Sequence, residues 1–181
     1  MLQRADAPTT IALRQNGTTT IRPLGEDDCA ALLAFGKGLP QDDWLYLEDD
    51  LRNPDIITRL VNAYLAENWR QIVAVDAQGL IVGYSAVRRL PGWSSHVADI
   101  QLIIAEDWRR RGLGTVLARS IFDAARDLGA DKIIVEILEE QTAGQAIFVR
   151  MGFHFEGRLS DHVRDRSGGR HNLVLLAYNV S

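Results

Sequence analysis

A strand that runs directly into an arginine-rich turn and a long helix is the feature that most constrains this fold. The apolar run that ends in Ile103 and Ile104 is followed by residues 109–114, which contain three arginines and two glycines. Beyond this turn, apolar side chains recur at helical spacing, at Leu113, Val116, Leu117, Ile121, Ala124 and Leu128. The pattern predicts a helix that begins near Gly112 and buries one face.

The charge of this turn suggests a bound anion. Arg109, Arg110 and Arg111 stand at the positive end of the predicted helix, where cations are unfavourable and backbone N–H groups lack partners. An anion bound between the arginines and these N–H groups would make this arrangement of charges favourable. Gly112 and Gly114 carry no Cβ atom to block the approach of the anion. The turn therefore predicts a phosphate site. The alternative is a solvated, arginine-rich helix start without a ligand.

The motif Arg109-x-x-Gly112-x-Gly114 between a strand and a helix resembles the pyrophosphate loop of the GNAT superfamily, the acyl-CoA-dependent N-acyltransferases. The resemblance implies acetyl-CoA as co-substrate and no metal. It implies that the turn holds the pyrophosphate, largely through main-chain N–H groups, and that the pantetheine arm pairs with the exposed backbone of the preceding strand. The cofactor-binding residues implied are Leu102, Ile103, Ile104, Arg109, Arg110, Arg111, Gly112, Leu113, Gly114, Thr115, Gln141 and Phe148.

A second segment, a short predicted helix over residues 142–151, supports the same resemblance with two departures. The family's segment carries an Asn near its start and a Tyr near its end, and closes with Gly-Phe, which residues 152–153 match. Gln141 stands at the Asn position and Phe148 at the Tyr position. The family's usual acid for the leaving thiolate is that tyrosine. Water, Ser120 or Tyr84 could replace it, and the alternative is that an alkanethiolate departs with little help.

The remaining elements predict an α/β (α+β) fold. Their order is strand, two helices, three strands, helix, strand, helix and two strands. A helical crossover leads to the strand at residues 132–138, which is therefore expected to run parallel to the strand before it. The resemblance implies a single GNAT-like domain with a mixed, mostly antiparallel sheet of about seven strands and about four flanking helices. It also implies a splay between the fourth and fifth strands.

The N-terminal residues are expected to add to this domain. Two β-rich arms flank Asn16-Gly17, a sequence typical of a type I′ hairpin turn. We therefore expect residues 1–17 to form a tail with an extra strand and residues 18–181 to form the N-acetyltransferase domain. Residues 39–52 lack periodicity and predict an irregular loop, and the resemblance implies that this region helps to form the wall of the acceptor site. Trp44, Tyr46 and Tyr64 are candidates for that wall, with core packing as the alternative for each.

Two carboxylates are the candidates for catalysis. Asp99 precedes the cofactor strand at a position where many members of the resembling family carry a Glu that acts as general base on the amine, and its alternative role is a structural hydrogen bond. Glu136 interrupts an apolar strand, so it is paired, solvated or shifted in pKa. His96 is a third candidate, better suited to a substrate-side or strand-capping role. His154, His162 and His171 show no metal-binding spacing.

Composition excludes several other classes of function. The net charge of −4 and the pI near 5.5 argue against a general nucleic-acid-binding protein. A single cysteine, Cys29, and the lack of any apolar run approaching ~18 residues predict a cytoplasmic protein that does not enter a membrane. The resemblance adds an amine acceptor as partner and a possible homodimer.

Together these features predict transfer of an acetyl group from acetyl-CoA to a primary amine of a small molecule, an antibiotic or a protein, by direct attack in a ternary complex. The alternative is a non-catalytic acyl-CoA-binding or regulatory module of the same fold, which the missing tyrosine at Phe148 would favour.

Overall fold

A single mixed sheet forms the centre of the molecule. The structure is a computed structural model and describes residues 7–13 and 17–181. The strands are β1 (Thr9–Ala12), β2 (Thr18–Pro23), β3 (Trp69–Val75), β4 (Ile81–Arg89), β5 (Val97–Ile104), β6 (Lys132–Leu138), β7 (His154–Arg164) and β8 (Arg170–Asn179). The helices are α1 (Cys29–Gly38), α2 (Pro54–Asn62), α3 (Leu113–Asp127) and α4 (Thr142–Arg150), with a 3-10 helix at Gln41–Tyr46.

The strand order confirms the predicted fold class. In the described residues the sheet has eight strands, in the order β1-β2-β3-β4-β5-β6-β8-β7. Every neighbouring pair is antiparallel except β5 and β6, which are parallel because the α3 crossover joins them. The strand beyond the expected seven is β1, which pairs with β2 as the N-terminal hairpin predicted. The predicted turn at Asn16 lies outside the described residues.

The predicted splay lies between β5 and β6, which are the fourth and fifth of the seven expected strands because β1 is the additional one. Their parallel pairing runs from Val97 opposite Lys132 to Ile100 opposite Val135 and then stops. Both strands continue, β5 to Ile104 and β6 to Leu138, but they no longer pair with each other. A wedge-shaped gap therefore opens between the C-terminal halves of these two strands.

Helices cover both faces of the sheet. On one face α1 and α2 bury Val73, Tyr84 and Ile103, and on the other face α3 and α4 bury Ala98 and Ile133. Successive residues of a strand point to opposite faces, so the side chain of Asp99 lies on the α1 and α2 face. None of the described helices is both long enough and apolar enough to cross a membrane.

The 39–52 loop is held against α1 by a close backbone contact. A Cβ atom at Gly36 would lie 1.9 Å from the carbonyl oxygen of Leu51, whereas one at Gly38 would meet no atom within 4 Å. Backbone atoms cannot move aside as a flexible side chain can. The contact therefore allows only glycine at position 36, and it sets the distance between α1 and the loop.

This contact predicts a large difference between two alanine variants of the same helix. Gly36→Ala is expected to lower the free energy of unfolding by at least about 2 kcal/mol, because the loop must shift to accept a methyl group. Gly38→Ala is the matched control and is expected to change it by no more than about 1 kcal/mol, in the stabilising direction. Urea denaturation followed by circular dichroism measures both. Equal stabilities would contradict the described packing of α1 on the loop.

Candidate active site

The arginine turn, residues 109–114, has a backbone shaped for close approach by a ligand. Arg110 and Gly112 both adopt left-handed conformations, with φ of 62° and 90°. Gly112 is the residue that caps α3, and it reaches this conformation without the steric cost of a side chain. The first hydrogen bond of the helix runs from the Val116 N–H to the Gly112 carbonyl, at 3.2 Å.

Six consecutive backbone N–H groups of this segment have no acceptor among the residues that the structure describes. Those of residues 110–115 donate to no atom in the described part of the chain. No acidic side chain lies in the first turn of α3 and no side chain caps it. Unpaired N–H groups and the positive end of the helix dipole together make a site for an anion.

The three arginines do not share one role. Arg110 is exposed, and the guanidinium of Arg111 lies over the ring of Trp108, 5.1 Å from its centroid. Arg109 turns back into the protein: its Nε donates to the Ile104 carbonyl at 3.0 Å and its guanidinium pairs with the Asp43 carboxylate. Arg109 thus has a carboxylate partner within the chain, whereas the prediction that three arginine side chains surround one phosphate assigned it to the anion.

The two glycines of the turn also differ. A Cβ atom at Gly112 would meet nothing within 4 Å, so the space beside this residue is open. At Gly114 a Cβ atom would lie 2.9 Å from Cδ1 of Ile147 on α4. Gly114 therefore also allows α3 and α4 to pack closely, in addition to its predicted role of opening the backbone to an anion.

The exposed edge of β5 consists of alternate residues. Ala105 donates its N–H to the Val82 carbonyl at 2.9 Å, which sets the phase of the hydrogen bonds between β4 and β5. By alternation, Ile103 also directs its backbone polar groups to β4, whereas Leu102 and Ile104 direct theirs to the gap. Of the three residues predicted to be exposed, this phase favours Leu102 and Ile104 over Ile103. Of the groups at the gap, the Ile104 carbonyl already accepts from Arg109.

The two departures from the family pattern lie at α4. Gln141 uses its side-chain oxygen to accept from the Leu138 N–H at 3.1 Å, which holds the start of α4 to the end of β6. Phe148 is 2% exposed and its ring packs edge-on against Phe153, with centroids 5.2 Å apart. Thr115 is half-buried in the first turn of α3. Phe148 is thus a core residue without a hydroxyl.

The two hydroxyls that could replace the missing tyrosine are already engaged. Tyr84 is buried and donates to the side-chain oxygen of Gln71 at 2.7 Å, and burial raises the pKa of Tyr84 far above its ordinary value. Ser120 donates to the Val116 carbonyl within α3, at 3.1 Å. Neither hydroxyl supports a role as the acid for a leaving thiolate.

A polar cleft lies on the α1 and α2 face of the sheet, next to the splay. It is lined by Asp49, Trp69, Ala86, Arg88, Asp99 and Gln101. The strands supply its floor, because Arg88 pairs with Asp99 and Ala86 pairs with Gln101 across β4 and β5. The 39–52 loop supplies Asp49 as part of its wall.

Asp99 is the carboxylate of this cleft with a strongly shifted acidity. Burial, and next the negative charge of Glu136, raise the pKa of Asp99 to about 7, while Arg88 partly opposes the shift. No described residue donates a hydrogen bond to the Asp99 side chain, which removes support for the alternative of a purely structural role. A carboxyl group that titrates near neutral pH can act as a general base.

Both candidate carboxylates meet at the splay. Asp99 pairs with Ile134 across β5 and β6, and Glu136 lies two residues further along the same face. Glu136 is exposed. It follows the last residue of β6 that pairs with β5, at the point where the gap opens. His96 is exposed just before β5 begins, at the end away from the arginine turn, and lies outside the cleft lining.

Two site residues, Glu48 and Gln101, were not found from the sequence. Glu48 accepts from Arg88 at 2.7 Å and from Gln101 at 3.3 Å, so the 39–52 loop is tied directly to β4 and β5 beside Asp99. The alternation of side chains along β5 places Gln101 on the same face as Asp99, a signal available once the strand is recognised. For Glu48 the sequence offers only an acidic run in an irregular loop.

The aromatic residues proposed for the acceptor wall receive little support. Tyr64 donates its hydroxyl to Glu26 at 3.2 Å and is not part of the cleft lining. The side chains of Trp44 and Tyr46 lie outside the described part of the structure. Trp69, which no sequence pattern indicated, is the aromatic residue in the lining.

The tip of the β7–β8 hairpin reaches the same loop. Arg166 lies 3.6 Å from the Asp50 carboxylate. At the base of the tip, His171 bridges Asp165 at 2.9 Å and Glu140 at 3.1 Å, and these carboxylates raise the pKa of His171. Within the ranges that the structure describes, no group of three or more His, Cys, Asp or Glu is placed to hold a metal ion.

Comparison with known proteins places this geometry in a family. Residues 27–153 match the Acetyltransferase (GNAT) family. The chain belongs to this family. The predicted recognition is thereby confirmed, and the splay, the turn and the cleft described above belong to a member of the acetyltransferase (GNAT) family.

Three relatives illustrate the range of similarity. Streptothricin acetyltransferase of Streptomyces lavendulae is 33% identical over 88 residues, which span 49% of this chain and 46% of that protein. The chain thus matches about half the length of this relative. An L-methionine sulfoximine/L-methionine sulfone acetyltransferase of Pseudomonas paraeruginosa is 25% identical over 78% of this chain and 84% of its own. The structure of yncA from Salmonella typhimurium with its cofactor acetyl-CoA superposes with a TM-score of 0.77 at 16% identity, covering 90% of this chain and 94% of that one.

Proposed function

We propose that this protein transfers the acetyl group of acetyl-CoA to a primary amine of a small molecule, by direct attack in a ternary complex. One observation carries the proposal: the anion site of the arginine turn and the carboxyl group of Asp99 lie at opposite ends of β5, and the open edge of that strand joins them. A ligand with a diphosphate at one end and a reactive carbonyl at the other fits between them. Family membership and the acetyl-CoA of the yncA structure support the choice of cofactor.

In this proposal, the chain's residues bind the cofactor and move one proton. The N–H groups of residues 110–115 bind the diphosphate, and the backbone of Leu102 and the Ile104 N–H pair with the arm in the gap. Acetyl-CoA supplies an activated thioester carbonyl. Asp99 accepts the proton of the attacking ammonium, directly or through one water molecule, so that the amine attacks as a neutral nucleophile. The departing thiolate takes up the second proton, which the nitrogen loses as the amide forms, and it needs little help to leave, since an alkanethiol has a pKa near ~8.5.

The cleft favours a small, cationic acceptor. Six residues line it, a small surface that supports a small molecule as the acceptor. Asp99 in the lining and Glu136 beside it attract a protonated amine before it loses its proton, whereas Asp49 and Glu48 are already paired with Arg59 and Arg88. The names of the two relatives make streptothricin and L-methionine sulfoximine the first acceptors to test.

The second candidate function is a non-catalytic acyl-CoA-binding module, which the buried Phe148 in place of the family's tyrosine favours. Thiol release from acetyl-CoA, measured with these two acceptors and a set of diamines and amino acids, separates the two functions. We expect release that depends on the acceptor and is lost in Asp99→Asn. Binding of acetyl-CoA without turnover on any amine would favour the module.

A pH profile tests the role of Asp99 as base. Because the ionised carboxylate is the active form, kcat/KM is expected to rise with pH through a midpoint near 7. Glu136→Gln removes a charge that raises the pKa of Asp99, so the midpoint is expected to fall. Arg88→Gln removes a charge that lowers this pKa, so the midpoint is expected to rise. Shifts in the same direction in both variants would contradict the assignment.

The domain limits and the compartment belong to the same proposal. We take residues 18–181 as the acetyltransferase domain and residues 1–17 as an addition, because β1 pairs with β2 at the edge of the sheet. The cytoplasm is the proposed compartment, since acetyl-CoA would be the co-substrate and Cys29 is a free cysteine.

A further inference from the structure

Arg109 joins three segments that are far apart in the sequence. Its own backbone begins the arginine turn, its Nε donates to the Ile104 carbonyl at the open edge of β5, and its guanidinium pairs with Asp43. Asp43 belongs to the 3-10 helix Gln41–Tyr46, which also lies beside β6. This short helix therefore bridges the wide end of the splay.

The Asp43 carboxylate depends on this partner. Its side chain is 5% exposed, whereas that of Arg109 is 33% exposed. Burying a carboxylate is costly unless a positive group and hydrogen bonds compensate it. The loop therefore keeps Asp43 buried only while the guanidinium of Arg109 stays beside it. The position of Arg109 is in turn set by the turn that carries the anion site.

The same loop continues into the polar cleft. Five residues after Asp43, Glu48 is tied to Arg88 and Gln101, and Asp49 lines the cleft beside Asp99. One end of the loop is thus fixed to the proposed diphosphate site and the other end to the proposed amine site. A change in order at the first end can be transmitted to the second through a short, continuous segment.

We infer that Asp43 is a positioning residue that, through Arg109, couples the filling of the arginine turn to the ordering of the loop that forms the amine site. The inference rests on the proposed function. A diphosphate bound to the N–H groups of the turn restricts the backbone of Arg109, and the Asp43 pair passes this restriction to the 39–52 loop. The 39–52 loop is then already ordered when the amine binds. The amine does not have to offset the conformational entropy lost on ordering the loop, so it binds more tightly.

Hydrogen–deuterium exchange with free CoA tests the coupling without an acceptor. In the wild type, saturating CoA is expected to slow exchange in peptides covering residues 41–52 by about tenfold. In Asp43→Asn the same CoA occupancy is expected to change that exchange by less than about twofold. Asp42→Asn is the matched control: it removes the same charge from an exposed neighbour in the same 3-10 helix and is expected to behave as the wild type.

Arg109→Lys provides a second variant if Asp43→Asn does not fold. It keeps the positive charge but replaces the planar guanidinium, which uses two separate nitrogens for the Ile104 carbonyl and Asp43, with a single nitrogen. The protection of residues 41–52 by CoA is expected to be lost here as well. With the best acceptor from the thiol-release assay, both variants are expected to raise the KM for the amine about tenfold and to change kcat by less than about threefold.

The possible outcomes separate the coupling from the proposed function. CoA binding with equal protection of the loop in the wild type and in Asp43→Asn would overturn the coupling and leave the proposed function intact. Faster exchange on CoA binding would mean that the diphosphate pulls Arg109 away from Asp43, which also overturns the inference. If the wild type binds no CoA, the proposed function fails and this inference fails with it.

Discussion

Gly112→Asp is expected to weaken the binding of CoA by about 100-fold or more, the effect of a unit charge brought within about 5 Å of another at an intermediate dielectric constant. Gly112 has the N-cap position of α3, and the space where its Cβ atom would lie is open. An aspartate there fits the protein but places a carboxylate where we propose that the diphosphate binds. Isothermal titration with CoA measures the loss.

Gly112→Asn separates the charge from the shape. Asparagine and aspartate have nearly the same size, and both tolerate the left-handed conformation at φ 90° better than other side chains do. We expect the asparagine variant to stay within about tenfold of the wild type, since it adds only local strain and bulk. If the two variants bind CoA equally well, the anion does not lie at this end of α3, and the proposed cofactor site is wrong.

Asp99→Asn is expected to lower kcat/KM for the amine by about 10²–10⁴-fold, the usual contribution of a general base. The amide keeps the shape of the side chain but cannot accept the proton of the ammonium. CoA affinity is expected to change by less than about twofold, because Asp99 lies at the end of β5 away from the arginine turn. Thiol release and CoA titration on the same preparation measure both.

Glu136→Gln is the comparison for this variant. It changes a carboxylate on the same face of the sheet, yet we expect kcat/KM at high pH to fall by less than about tenfold. A loss of activity in Glu136→Gln with full activity in Asp99→Asn would exchange the roles of the two residues. An inactive Asp99→Asn that binds CoA as the wild type does is folded, so unfolding would not explain its loss of activity.

Local patterns in the sequence predicted the elements and their order. The periodicity after Gly112 predicted α3, the hairpin sequence predicted β1 and β2, and the crossover predicted that β5 and β6 are parallel. These features depend on residues a few positions apart, where spacing and turn chemistry decide the conformation. The anion site is local in the same sense, because the arginines and glycines that indicate it lie within six consecutive positions at a positive helix end.

Side-chain partners across the fold could not be predicted in this way. Asp43 and Arg109 are 66 positions apart, and Glu48 lies 40 positions from Arg88 and 53 from Gln101. No local pattern links such pairs, because an irregular loop carries no periodicity that would fix where its side chains point. The charges of the arginine turn therefore suggested one shared role, whereas the tertiary structure gives Arg109 a partner of its own.

What the sequence by itself determined was the set of elements, the family motif and the identity of the two carboxylates at the splay. Only the tertiary structure decided which backbone groups of β5 face the gap, that Gly114 serves helix packing, and that burial beside Glu136 brings the pKa of Asp99 to about 7. The physical reason is that strand phase, close packing and desolvation all depend on neighbours supplied by distant parts of the chain.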